Sequence, residues 1–117
     1  MRWFHPLSLF LLIGCSTPPD PCDPMCEAAA SLYGGCLEEW GVEWASAGYD
    51  DEAHFLESCQ TWAWSTRLLE ADAEGSGQIN AVCRERQALF TDGTCTDFTS
   101  LDWSTLPWHP DADTGTR

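Results

Sequence analysis

Cysteine restricts this chain more than any other residue type. Seven are present, and six of them, Cys22, Cys26, Cys36, Cys59, Cys83 and Cys95, follow an apolar run from Leu7 to Cys15. That run is preceded by one charged residue, Arg2, and is too short to cross a bilayer as a helix, which takes about 20 apolar residues. It has the form of a secretory signal, so the residues after it are expected in an oxidising compartment, where thiols close into disulfides. A small domain there depends on such crosslinks, because its core buries little apolar surface. A zinc site at Cys22 and Cys26 is the competing reading. The chain has no second close cysteine pair to complete it, and the compartment disfavours it.

The end of the run, Leu12-Ile13-Gly14-Cys15, resembles the lipobox of bacterial lipoprotein precursors. The resemblance covers residues 1–15. It implies cleavage before Cys15 and multiple acylation of that cysteine, hence a firm membrane anchor, since several acyl chains hold where a single one is marginal. Ser16, rather than an aspartate, follows Cys15, and by the same resemblance this implies the outer membrane of a Gram-negative envelope. With Cys15 assigned to lipid, the other six cysteines form an even set, as three disulfides require. The chain then divides into a signal peptide over residues 1–14, a lipidated Pro-rich tether over 15–21, a Cys-rich helical domain over 22–108 and a disordered tail over 109–117. The helical part is loosely similar to small Cys-rich lipoproteins of Gram-negative bacteria, a likeness that implies no particular activity.

Removing the signal leaves 103 residues, one small domain, with four arginines, no lysine and 19 acidic side chains, a formal charge of −15. Such a charge repels nucleic acid and argues against a phosphate-binding surface. It suits cations, a basic partner, or simple solubility. Pro18, Pro19 and Pro21 make the tether short and stiff.

Hydrophobic spacing predicts an all-α fold. Asp23 and Pro24 offer an N-cap and a first helical residue, and Cys26, Ala29, Tyr33, Cys36 and Trp40 then recur at steps of three and four, a buried stripe that weakens near Gly41. Asp50 is the N-cap expected for a second helix over about residues 51–73, with Phe55, Cys59, Trp62, Thr66 and Leu69 on its buried face. A third helix runs from about Gln78 to Phe90 with Ile79, Val82, Cys83, Arg86 and Phe90 inward, and Phe98 to Trp103 has room for a short fourth. Short connections make neighbours antiparallel, so the expected architecture is a small disulfide-stapled three-helix bundle with a possible short fourth helix. With the first turn centred near Gly48 and the second near Ser76, levelling the helices by their rise pairs Cys36 with Cys59, then Cys26 with Cys83, and leaves Cys22 with Cys95.

Three sets of residues could carry chemistry. Asp72, Glu74, Ser76 and Gln78, with Gly77 between, loosely resemble a calcium loop, but Cys83 stands where the bidentate glutamate belongs. Asp50, His54 and Ser58, four apart on one helix, imitate the acid, base and hydroxyl of a hydrolase, whereas working triads are assembled from separate elements. Glu38 and Glu39 are adjacent on a helix and point apart, so they make no glycosidase pair. Among the tryptophans, Trp44, Trp64 and Trp108 are the candidates for a ligand surface, with core packing as the alternative for each. No cofactor is implied. The expected function is non-catalytic contact with an envelope protein or glycan, by a domain held to the membrane through its lipid. Cation binding and envelope hydrolysis are the alternatives.

Overall fold

The computed structural model describes residues 20–72 and 78–110. These are all-α, without strands among the described residues. The helices are α1 (Cys22–Trp40), α2 (Trp44–Ala47), α3 (Glu52–Asp72), α4 (Gln78–Asp92) and α5 (Ser100–Ser104). The three long ones form the bundle, with α1 packed against both α3 and α4.

Local chemistry sets the helix ends. α1 starts one residue before Asp23, which therefore lies in its first turn; Asp20 Oδ1 instead accepts from the Cys22 N–H at 2.9 Å and satisfies an otherwise unpaired donor. The helix stops at Gly41, whose φ of 71° lies in the left-handed region that glycine enters without steric cost, and the Val42 N–H bonds back to the Leu37 carbonyl at 2.9 Å. α3 is capped by Asp51, not Asp50: the Asp51 Oδ1 accepts from the His54 N–H at 2.8 Å. Thr99 and Asp102 cap α5 reciprocally, each side chain bonding the other's backbone N–H. At the end of α4, Gly93 permits a close approach. A Cβ there would lie 2.6 Å from the Leu89 carbonyl oxygen and 2.7 Å from the Phe98 ring, so only glycine lets Phe98 fold back onto the helix.

The described cysteines are joined as Cys22–Cys83, Cys26–Cys59 and Cys36–Cys95. This corrects all three expected pairings while keeping the set. Between α1 and α3, Asp20 meets Arg67, Cys26 meets Cys59 and Tyr33 meets Phe55, so the antiparallel register is centred nearer Val42 than Gly48. The reason is Gly41: the chain turns there, and α2 folds back beside α1 instead of prolonging it. Cys36 is thereby carried above the level of Cys59 and meets Cys95 in the turn beyond α4. Cys22 and Cys26 are one turn, about 5.4 Å, apart on α1, and their azimuths differ enough that the first faces α4 and the second α3.

The stripe on α1 is buried as expected except for Trp40, which is half covered. Phe55 and Cys59 of α3 and Ile79, Cys83 and Phe90 of α4 are buried opposite it. Leu69 was expected inward and is 71% exposed. Polar contacts take its place at that end of the bundle. Arg67 reaches Asp20 and Asn80, and Glu70 Oε1 accepts from the Ile79 N–H at 3.0 Å, so α3 turns these side chains toward its neighbours and Leu69 out.

The segment after α4 closes the opposite end. Trp103 is 1% exposed and stacks on Tyr33 with centroids 4.3 Å apart and on Phe90 at 5.6 Å, while Phe98 packs beside it. Trp108 sits against Trp62 at 5.2 Å and Phe55 at 6.0 Å. Packing continues to His109, which is buried, meets the Tyr49 ring edge-on and donates from Nε2 to the Ala47 carbonyl at 3.2 Å. The packed domain therefore reaches beyond residue 108, where the tail was expected to begin. Residues 111–117 lie outside the described residues, as do residues 1–19, on which the expected signal, Cys15 and most of the expected tether fall.

Candidate functional site

Each residue set singled out by the sequence has a definite fate. His54 and Ser58 line one cleft, and Asp50 meets His54 just outside it, yet the hydrogen bonds are those of a helix start. His54 Nδ1 accepts from the Asp50 backbone N–H at 2.9 Å, and the Asp50 carboxylate stands 3.9 Å away. An Nδ1 that accepts must be unprotonated, which in the neutral ring places the proton on Nε2. A triad needs the opposite tautomer, with Nδ1–H on the acid and a bare Nε2 toward the hydroxyl. The sequence spacing is real and the protonation pattern is wrong for the relay.

Of the calcium-like set, Glu74 and Ser76 fall outside the described residues, and Gln78 opens α4 as an exposed residue. The three candidate tryptophans do not share a surface. Trp44 packs edge-on against Tyr33 at 5.5 Å, and Trp108 is buried in the aromatic core. Trp64 alone of the three is largely exposed, at 61%.

Two clefts flank Pro107. One, about 350 Å³, lies between α4 and the closing segment, with Leu89, Phe98 and Leu106 as its apolar lining and Arg86 and Asp102 at its edges. The other, about 420 Å³, lies along α3 and includes His54, Ser58, Trp62 and Trp108. Both are walled by the segment that the sequence left as a minor appendage. Beneath them, Tyr49 Oη, Trp103 Nε1 and Trp108 Nε1 are buried without a hydrogen-bond partner among the described residues. Burial pushes the Tyr33 and Tyr49 phenols above the ordinary tyrosine range, and for Tyr49 the nearby Tyr33 adds to the shift.

Sequence reasoning singled out Trp64 but missed the apolar face it shares with Leu68 and Leu69 on the exposed side of α3. Trp64 and Leu68 are one turn apart and face away from the buried Phe55 and Cys59, with exposed Leu69 on their flank. The legible signal was their spacing of four on the side opposite the cysteine stripe. Beside them Arg67 clamps Asp20, the first described residue, through two 3.0 Å bonds to its carboxylate. No helix among the described residues is long and apolar enough to cross a membrane.

Compared with protein-family profiles, with curated proteins and with solved structures, the chain has no match in any of the three.

Proposed function

We propose that this is a lipid-anchored protein of the bacterial cell envelope, held at the outer membrane through Cys15. In this reading its disulfide-stapled helical domain acts by non-catalytic contact with an envelope protein or glycan. The observation that carries this reading is the cysteine arithmetic. All six cysteines after Cys15 are consumed in disulfides, which suits an exported domain and leaves Cys15 apart, at the end of the lipobox-like Leu12-Ile13-Gly14-Cys15. The capped imidazole of His54 supports the non-catalytic part, because the Asp50, His54 and Ser58 set at the start of α3 has its imidazole tied into the helix start.

The test is Cys15→Ser in a Gram-negative host. The wild-type chain should fractionate with membranes and incorporate a labelled fatty acid, and the variant should appear as a soluble, still disulfide-bonded domain. Membrane retention of the variant without label would refute the anchor. Crosslinking of the anchored protein in intact cells then identifies its partner.

A further inference from the structure

The apolar side of α3 and the entry point of the tether lie together. Trp64, Leu68 and Leu69 are 61%, 50% and 71% exposed, a cluster of large apolar groups on the outer surface. The stretch of α3 around Trp64 is uncharged. No charged residue occurs from Ser58 to Thr66, and Gln60, Thr61 and Ser65 are the exposed residues around Trp64. Of the charges beside the two leucines, Arg67 is spent on Asp20 and on Asn80 Oδ1 at 2.6 Å, and Glu70 Oε1 accepts from the Ile79 N–H.

That same ion pair decides where the tether joins. Asp20 is fixed to Arg67, which lies one residue from Leu68 and three from Trp64, within a single turn of α3. Four residues lie between Cys15 and Asp20, five steps along the chain. An extended chain spans at most about 3.3–3.6 Å per residue, so Cys15 lies within roughly 18 Å of this clamp. A lipid on Cys15 would therefore hold the Trp64 face at the height of the head groups.

We propose that Trp64, Leu68 and Leu69 are a bilayer-docking face, which rests on the anchor reading above. The acylated Cys15 supplies the attachment. The three side chains seat the domain with the outer side of α3 on the lipid, and Trp64 lies at the interface, where its apolar ring and its N–H are both satisfied. Tethering makes docking intramolecular, so a patch too small to bind a membrane from solution suffices once anchored. The uncharged stretch from Ser58 to Thr66 leaves no acidic side chain among the immediate helix neighbours of Trp64, where one would be repelled by anionic head groups.

The test uses the full lipidated protein reconstituted into phosphatidylcholine vesicles, with flotation and tryptophan quenching by brominated phosphatidylcholine read on the same sample. Flotation reports the anchor, and quenching reports the face. The expected result is flotation of wild type and of Trp64→Phe alike, with the brominated-lipid quench reduced by roughly twofold or more in the variant. Leu68→Ser/Leu69→Ser, which keeps Trp64, should float and also lose quench, with an unchanged melting temperature because both positions are exposed. Flotation with equal quench in wild type and variants overturns the docking face and leaves the anchor standing. Flotation with an unquenched Trp64 and a doubled particle mass makes the face a contact between copies, and overturns it likewise. Failure of the wild type to float overturns the anchor, and the docking face with it.

Discussion

Replacing Trp103 should unseat the closing segment and cost much of the domain's stability. The indole is 1% exposed and stacked between Tyr33, 4.3 Å away, and Phe90, 5.6 Å away, with Phe98 at 5.4 Å. Truncating a buried tryptophan to alanine removes both its transfer free energy and its packing, about 3–5 kcal/mol. A packed domain of about 90 residues is stable by roughly 5–13 kcal/mol, so Trp103→Ala should lose about a quarter of that or more. At about 4–8 °C per kcal/mol, the melting temperature should fall by on the order of 20 °C. Trp103→Phe separates two effects. It keeps an aromatic ring in the stack and removes the buried N–H that has no partner among the described residues, a group that costs about 1–3 kcal/mol when unsatisfied. The smaller ring and the lost donor offset one another, so this variant should lose less than about 1.5 kcal/mol. The assay is urea unfolding with disulfides intact, followed by far-ultraviolet circular dichroism, since the fluorescence itself changes with the tryptophan. A loss below about 1 kcal/mol for Trp103→Ala would mean that the segment is not packed as described, and equal losses for the two variants would mean that ring stacking is not the source.

Two other outcomes follow from the core. Peptide mapping without reduction should recover Cys22–Cys83, Cys26–Cys59 and Cys36–Cys95, and recovery of a peptide joining Cys36 to Cys59 would place the fold-back near Gly48 instead of Gly41. Stability should decline in alkali. The chain's two tyrosines, Tyr33 and Tyr49, have phenols raised by burial, so each keeps its proton in the folded state at a pH where the unfolded chain releases it. Their contribution is intact below about pH 10 and is lost above it, at up to about 1.4 kcal/mol per pH unit for each phenol. Tyr49→Phe should flatten that decline, and an identical alkaline melting profile for the variant would contradict the buried phenol.

The elements themselves were legible because their signals are local. Stripes of Cys26, Ala29, Tyr33 and Cys36 and of Ile79, Cys83 and Phe90 mark helix faces by spacing alone, and Gly93 marks a stop, whereas the first turn is expected near Gly48 and falls at Gly41. Even the caps were nearly legible: Asp50 and Asp51 both offer a carboxylate, and only the geometry of the His54 N–H chooses the second. The candidate surface was legible in part. Of the candidates, Trp64 is exposed, whereas Trp108, carried by the closing segment, turns into the core, the alternative open for each. Its burial depends on Phe55 and Trp62 from a helix about fifty residues earlier, which no local spacing encodes.

By itself, then, the sequence determined that the chain is helical, where the long helices lie, and that six cysteines besides Cys15 form a closed set. Tertiary structure decided which cysteines meet, which tryptophans remain at the surface, and that Arg67 fixes Asp20 beside an apolar face. Periodicity reports the azimuth of a residue on its own helix, and caps report the ends. Pairing between helices depends also on relative height and rotation, and a displacement of one 5.4 Å turn exchanges Cys22 for Cys26 without changing any local signal.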